Sequence, residues 1–147
     1  MTDAVDAMIE RDVAVNGDIL AFADTFKGVT VTWGMDDCSM FAAQWAADRL
    51  GRDFLFNPYD SEAEARALIE NSGGLVHVWQ FAADANGIHR VADRPQAGDV
   101  GVVDTFALGP VGCIFMKYGS VAVLRTDPGY RVLGIREKHV LGAWRIP

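Results

Sequence analysis

Cys38 is the side chain with the strongest case for chemistry in this chain, because of what precedes and follows it. The run is Trp33-Gly34-Met35-Asp36-Asp37-Cys38-Ser39-Met40-Phe41. Positions 38, 41, 42, 45 and 46 are Cys, Phe, Ala, Trp and Ala, the spacing of one buried helical stripe. Asp37 is placed to cap that helix by accepting a free backbone N–H. Cys38 then falls in the first turn, where unpaired N–H groups and the helix dipole favour the thiolate, the nucleophilic form. The matching chemistry is attack by sulfur on an acyl carbon, with backbone N–H groups at the helix head stabilising the oxyanion.

Such a thiol needs a base within about 3 Å, usually a histidine oriented by a third polar group. The histidines are scattered at 77, 89 and 139. His77 lies in an apolar run and reads as a core or half-buried residue. His89, in Gly87-Ile88-His89-Arg90, reads as a surface loop. His139 precedes the last strand and becomes a substitute base only if the C-terminus folds back toward Cys38. The plain alternative for Cys38 is a small buried hydrophobe. Cys113, mid-strand in Gly-Cys-Ile-Phe, reads as core. Asp37 reads as a cap, Asp36 as solvated, and Asp99 as an acceptor of backbone amides in a turn. Trp33, Trp45, Trp79 and Trp144 read as core or interface anchors.

The elements that must position Cys38 follow from pattern and punctuation. A first amphipathic helix is expected over 2–13, with Val5, Met8, Ile9 and Val13 on one side. Asn16-Gly17 is expected to end it, and Asp18 to cap a second helix reaching Lys27-Gly28. Val29 to Trp33 is β-branched and extended. The Cys38 helix should stop at Gly51. Ser61-Glu62-Ala63-Glu64 is a capping-box pattern opening a helix to about Glu70, and Asn71 to Gly74 ends it. Leu75 to Ala83 is too short an apolar run for periodicity to decide between helix and strand, and 84–87 reads as a turn. Strands are expected at 100–104, 111–116, 121–125, 131–135 and 142–146, separated by turn signals. Helices first and strands afterwards predict an α+β fold, helices packed on an antiparallel sheet.

A length of 147 residues, half of them hydrophobic, predicts one folded domain. Its parts are N-terminal helices over 1–28, the cysteine helix and helical region over 29–97, and the sheet over 98–147. A net charge of −7 argues against a nucleic-acid partner. No Cys-x-x-Cys occurs, so no metal or cofactor is expected, and the two cysteines should be free thiols. The acidic N-terminus lacks the basic, apolar character of a leader, which predicts synthesis in the cytoplasm. The longest mostly apolar stretch, Phe106 to Met116, is broken by Gly109-Pro110 and too short to span a bilayer, so no membrane insertion is expected.

Trp33-Gly34 and Asp37-Cys38 resemble the nucleophile segment of the NlpC-type, papain-like cysteine peptidases. Phe41-Ala42-Ala43, Leu50-Gly51-Arg52-Asp53, Gly73-Gly74-Leu75, Gly98-Asp99 and Ala143-Trp144-Arg145 extend the likeness over 33–147. In texture it is similar to a phage-encoded, NlpC-like group found with tail genes. The resemblance implies a cysteine helix against a small, curled antiparallel sheet, and it favours helix for 75–83. It also implies a histidine at the start of the second strand and an orienting residue on the third. Here the second-strand phrase is Pro110-Val111-Gly112-Cys113-Ile114-Phe115, so Pro110 stands in the base position. The third position falls at Ser120 to Ala122, which offers no His, Asn or Gln.

The resulting expectation is a non-catalytic structural component of a phage or phage-like tail, at the tip or hub. It would bind other tail proteins and reside in the virion tail. The alternative is a cell-wall peptidoglycan peptidase or amidase with Cys38 as nucleophile. A cytosolic amidase or acyltransferase with an unusual base is a third reading.

Overall fold

The computed structural model describes residues 2–147. The chain is α+β. It runs as α1 (Thr2–Asp24), α2 (Cys38–Leu50), α3 (Glu62–Ser72) and α4 (Leu75–Asn86), then β1 (Val100–Thr105), β2 (Gly109–Met116), β3 (Val121–Arg125), β4 (Tyr130–Gly134) and β5 (Val140–Trp144). The strands form one open antiparallel sheet in the order β4-β3-β2-β1-β5.

Alternation along the strands gives the sheet two packed faces. Val100, Val102, Ile114, Val123 and Trp144 point to the side of the helices, where Phe41, Trp45, Val78 and Trp79 meet them. Val103, Val111, Cys113, Phe115, Ala122 and Leu124 form a second cluster on the opposite face, and Cys38, Val91, Ile135 and Val140 pack against it. Both faces of β2 are therefore buried, which fits its near-continuous apolar run.

The N-terminal region departs from expectation. Asn16-Gly17 does not interrupt it, and a single helix α1 replaces the two expected. Gly17 costs about 1 kcal/mol relative to alanine in a helix interior. Burial of Val15, Ile19 and Ala23 along one side offsets that. Asn16 itself bonds Asp12 one turn back, at 3.0 Å, and accepts from the Lys117 amide at 3.3 Å. Asp18 caps nothing and pairs with Arg49 at 3.0 Å. Val5, Met8, Ile9 and Val13, the apolar side of the expected first helix, are all exposed.

Leu75 to Ala83 is helical, and α4 continues through the expected turn to Asn86, ending at Gly87 in the left-handed conformation. Asn86 is held inside because its amide pairs both ways with the Leu55 backbone, at 2.8 and 2.7 Å. At α3, Ser61 accepts from the Glu64 amide at 3.1 Å, but Glu64 turns to the Asp60 amide instead of closing the box on Ser61. The expected extended run at 29–33 does not join the sheet: residues 29–32 carry no regular structure and Trp33 already lies in the turn closed by the Thr32 carbonyl.

Candidate functional site

Asp37 builds the head of α2. Its backbone is extended, and its side chain accepts from the Ser39 and Met40 amides at 3.2 and 3.3 Å. The other carboxylate oxygen accepts from Gly34 N–H at 2.8 Å, which pins the preceding turn. Asp37 is buried, and Tyr59 O–H donates to it at 2.6 Å from a loop beyond the helix. Gly34 has φ +85°, and a Cβ there would stand 1.9 Å from the Tyr59 carbonyl oxygen. The Trp33-Gly34 turn and the Tyr59 loop thus lock each other around the cap.

The helix head sits on β2 at Gly112. A Cβ at 112 would lie 3.1 Å from both the Cys38 carbonyl oxygen and Ser39 Cα. Ser39 is buried in that contact and accepts from Trp79 Nε1 at 3.2 Å. Cys38 is half-buried. Burial pushes its thiol above the ordinary range, and the nearby Asp37 charge pushes the same way. Hydrogen bonds from the Gly112 backbone and from Ser39 work against that shift without reversing it. The first-turn position therefore does not yield a thiolate here. Desolvation wins over the local N–H groups.

No described histidine bonds the Cys38 sulfur. His139 is occupied elsewhere, with Nδ1 accepting from the Arg136 amide at 3.1 Å in the β4–β5 connection. His77 is exposed on α4 and His89 is exposed before β1. Pro110 pairs with Asp104 across β1–β2. Strand alternation puts it on the same face as Gly112, toward the cysteine helix. Ser120 to Ala122 does not reach this end of the sheet, because Ala122 faces Phe115 and Val121 faces Met116. Ile114 pairs with Val123, so two residues along, Arg125 comes level with Gly112.

Arg125 is the residue that sequence reasoning missed. It is buried, and its Nε donates to the Asp36 carbonyl at 2.9 Å. Its NH1 donates to the carbonyls of Val29, Thr126 and Gly129 at 3.0, 2.7 and 2.7 Å. NH2 lies 3.3 Å from the Asp36 carboxylate, at ion-pair distance but not aligned for a hydrogen bond. Asp36 is thus not merely solvated, as expected; it ties the Cys38 turn to β3. Trp33 is partly exposed while the other three tryptophans are buried. Asp99 behaves as expected. It is buried and accepts from the Gln96 and Ile146 amides at 2.8 and 3.2 Å, and Arg145 Nε adds a bond at 3.0 Å.

Cys113 is fully buried, and burial raises its thiol well above the usual range. Among the described residues, no group of three or more His, Cys, Asp or Glu side chains is arranged to hold a metal ion. No described helix is long and apolar enough to cross a membrane.

A family model described as a domain of unknown function, DUF6950, matches residues 10–146. The chain belongs to this family. The match takes in α1 from Glu10 onward and runs through β5, so the matched range includes Asp37, Cys38, Pro110 and Arg125 together. No curated protein matches the chain.

Proposed function

We propose that this chain is a non-catalytic structural component of a phage or phage-like tail, at the tip or hub, on a degenerate NlpC-type fold. Its place is the virion tail after synthesis in the host cytoplasm, bound to other tail proteins. The observation that carries the reading is a thiol raised by burial, with Pro110 at the start of β2, the position that the NlpC resemblance gives to the base. A protonated sulfur without a proton acceptor is a poor nucleophile. What remains is a capped helix head locked onto a sheet, which is a packing device.

Exposed apolar side chains support an assembly role. Phe106 and Leu108 project from the β1–β2 turn, and Val5, Met8, Ile9 and Val13 line the free side of α1. Exposed large apolar side chains of this kind suit protein–protein contact.

The test is mass spectrometry and immunogold labelling of purified virus or tail-like particles from cells carrying the gene. The expected result is the chain present in stoichiometric amount at the tail end. Its absence from particles would overturn the reading. So would turnover of peptidoglycan fragments that is lost in Cys38→Ala and kept in Cys113→Ala.

A further inference from the structure

The loop before β1 and the β4–β5 connection line an open cleft of about 500 Å³. That is the size of sites that hold metabolite-sized ligands, roughly 300–1,000 Å³. Three arginines line it, in a chain whose net charge is −7. Arg90 and Arg94 belong to one wall and Arg136 to the other. None of the three is in an ion pair with any described carboxylate, although Asp93 and Glu137 share the lining. Three guanidinium groups against two carboxylates leave a charge of +1.

The walls are held before any ligand arrives. Arg90 is fixed by a bond from NH2 to the Leu141 carbonyl at 3.2 Å and lies over the Trp144 ring at 5.6 Å. Val91 N–H bonds the Ala143 carbonyl at 2.8 Å, which ties the loop to β5. Pro95 packs so closely on Gly119 that a Cβ there would meet its Cδ at 2.9 Å. On the far wall, Ile135 N–H bonds the Ser120 carbonyl at 2.9 Å, and Arg136 N–H bonds His139 Nδ1. His139, which would have become a substitute base only if the C-terminus folded back toward Cys38, shapes this connection. Arg94 and Arg136 are exposed and enter none of the ion pairs among the described residues; a guanidinium can meet a carboxylate or a phosphate with two parallel N–H bonds. Val91, Ile135 and Val140 supply an apolar floor. Asp93 and Glu137 set a limit, since they would repel a long polyanion.

We propose that this cleft is a binding site for a small organic anion, carried between Arg94 and Arg136 through a carboxylate or phosphate group. The site does not depend on the tail assignment.

The experiment is isothermal titration of the full chain at low ionic strength with inorganic phosphate, citrate and acetate in separate arms, each matched against chloride. The expected result is saturable one-site binding of phosphate or of a carboxylate, and the arm that binds identifies the oxyanion. Arg94→Gln and Arg136→Gln should each weaken that binding at least about tenfold while leaving the melting temperature without ligand unchanged. Arg94→Lys should retain more affinity than Arg94→Gln. No saturable binding in any arm would overturn the proposal. So would equal binding by the wild type and both Gln variants, or a loss confined to one wall.

Discussion

The Tyr59 hydroxyl donates to the Asp37 carboxylate at 2.6 Å, closing a loop 22 residues away onto the head of the cysteine helix. Burial and this bond raise the Tyr59 phenol, in that order, so it remains a donor throughout the accessible pH range. Tyr59→Phe should cost about 1.5–3 kcal/mol, the usual worth of a hydrogen bond to a charged group. Asp37→Asn should cost a comparable amount, because one side-chain oxygen must become an NH₂ facing a donor, either the Gly34 amide or the three groups on Oδ1. Urea unfolding of the two single variants and the double variant measures both. Strongly sub-additive losses are expected, since the two residues share one bond.

Gly34→Ala should be among the most damaging single substitutions. Its positive φ alone costs about 1–2 kcal/mol for a residue with a Cβ, and the Tyr59 carbonyl occupies the space that Cβ needs. Gly112→Ala meets the Ser39 backbone and Cys38 carbonyl at contacts a few tenths of an ångström too short. It should cost about 1–3 kcal/mol by overpacking. Thermal melts rank the two, with Gly34→Ala expected to melt lower.

Stability should fall on the alkaline side. Cys38 and Cys113 both have folded pKa values raised by burial. In the unfolded chain each thiol titrates near about 8.5. Above that pH the unfolded state loses protons that the folded state keeps. Each thiol then removes up to about 1.4 kcal/mol of stability per pH unit until the folded pKa is passed. Urea midpoints measured under reducing conditions between pH 7 and 10 should decline, and Cys113→Ala should make the decline shallower. A flat profile would contradict the raised thiols.

The face shared by Pro110 and Gly112 makes a gain-of-reactivity variant possible. Pro110→His places an imidazole on the strand face that meets the head of α2. Its proton-accepting nitrogen should lower the Cys38 pKa and raise the rate of iodoacetamide alkylation at pH 7 at least about tenfold. An unchanged rate in a folded variant would mean that more than a missing base keeps the sulfur quiet.

Most of the sheet could be read from residue order because its signals are local. The runs at 121–125 and 111–116 are β-branched and bounded by Gly-containing turns, and β3 falls on the expected residues. The cap at Asp37 and the stop at Gly51 are equally local and equally visible. Helix α1 was not, because Gly17 and Asn16 look like a break while what sustains the helix is distant. Asn16 meets the Lys117 amide across 101 residues. Arg125 was illegible for the same reason. A cation at the end of an apolar strand reads as solvent-facing, and its acceptors at Val29 and Asp36 lie 96 and 89 residues away. Tyr59, in the polar loop Asn57-Pro58-Tyr59-Asp60, carried no sign that it would close over Asp37.

The central claim is that the sulfur at the head of α2 is protonated and without a base at neutral pH. The rate of iodoacetamide alkylation of Cys38 against pH, in folded protein with Cys113→Ala to isolate one thiol, measures this directly. The account expects slow labelling at pH 7 and a titration midpoint above about 8.5. Rapid labelling with a midpoint near pH 5 to 6 would contradict it and would make Cys38 a working nucleophile.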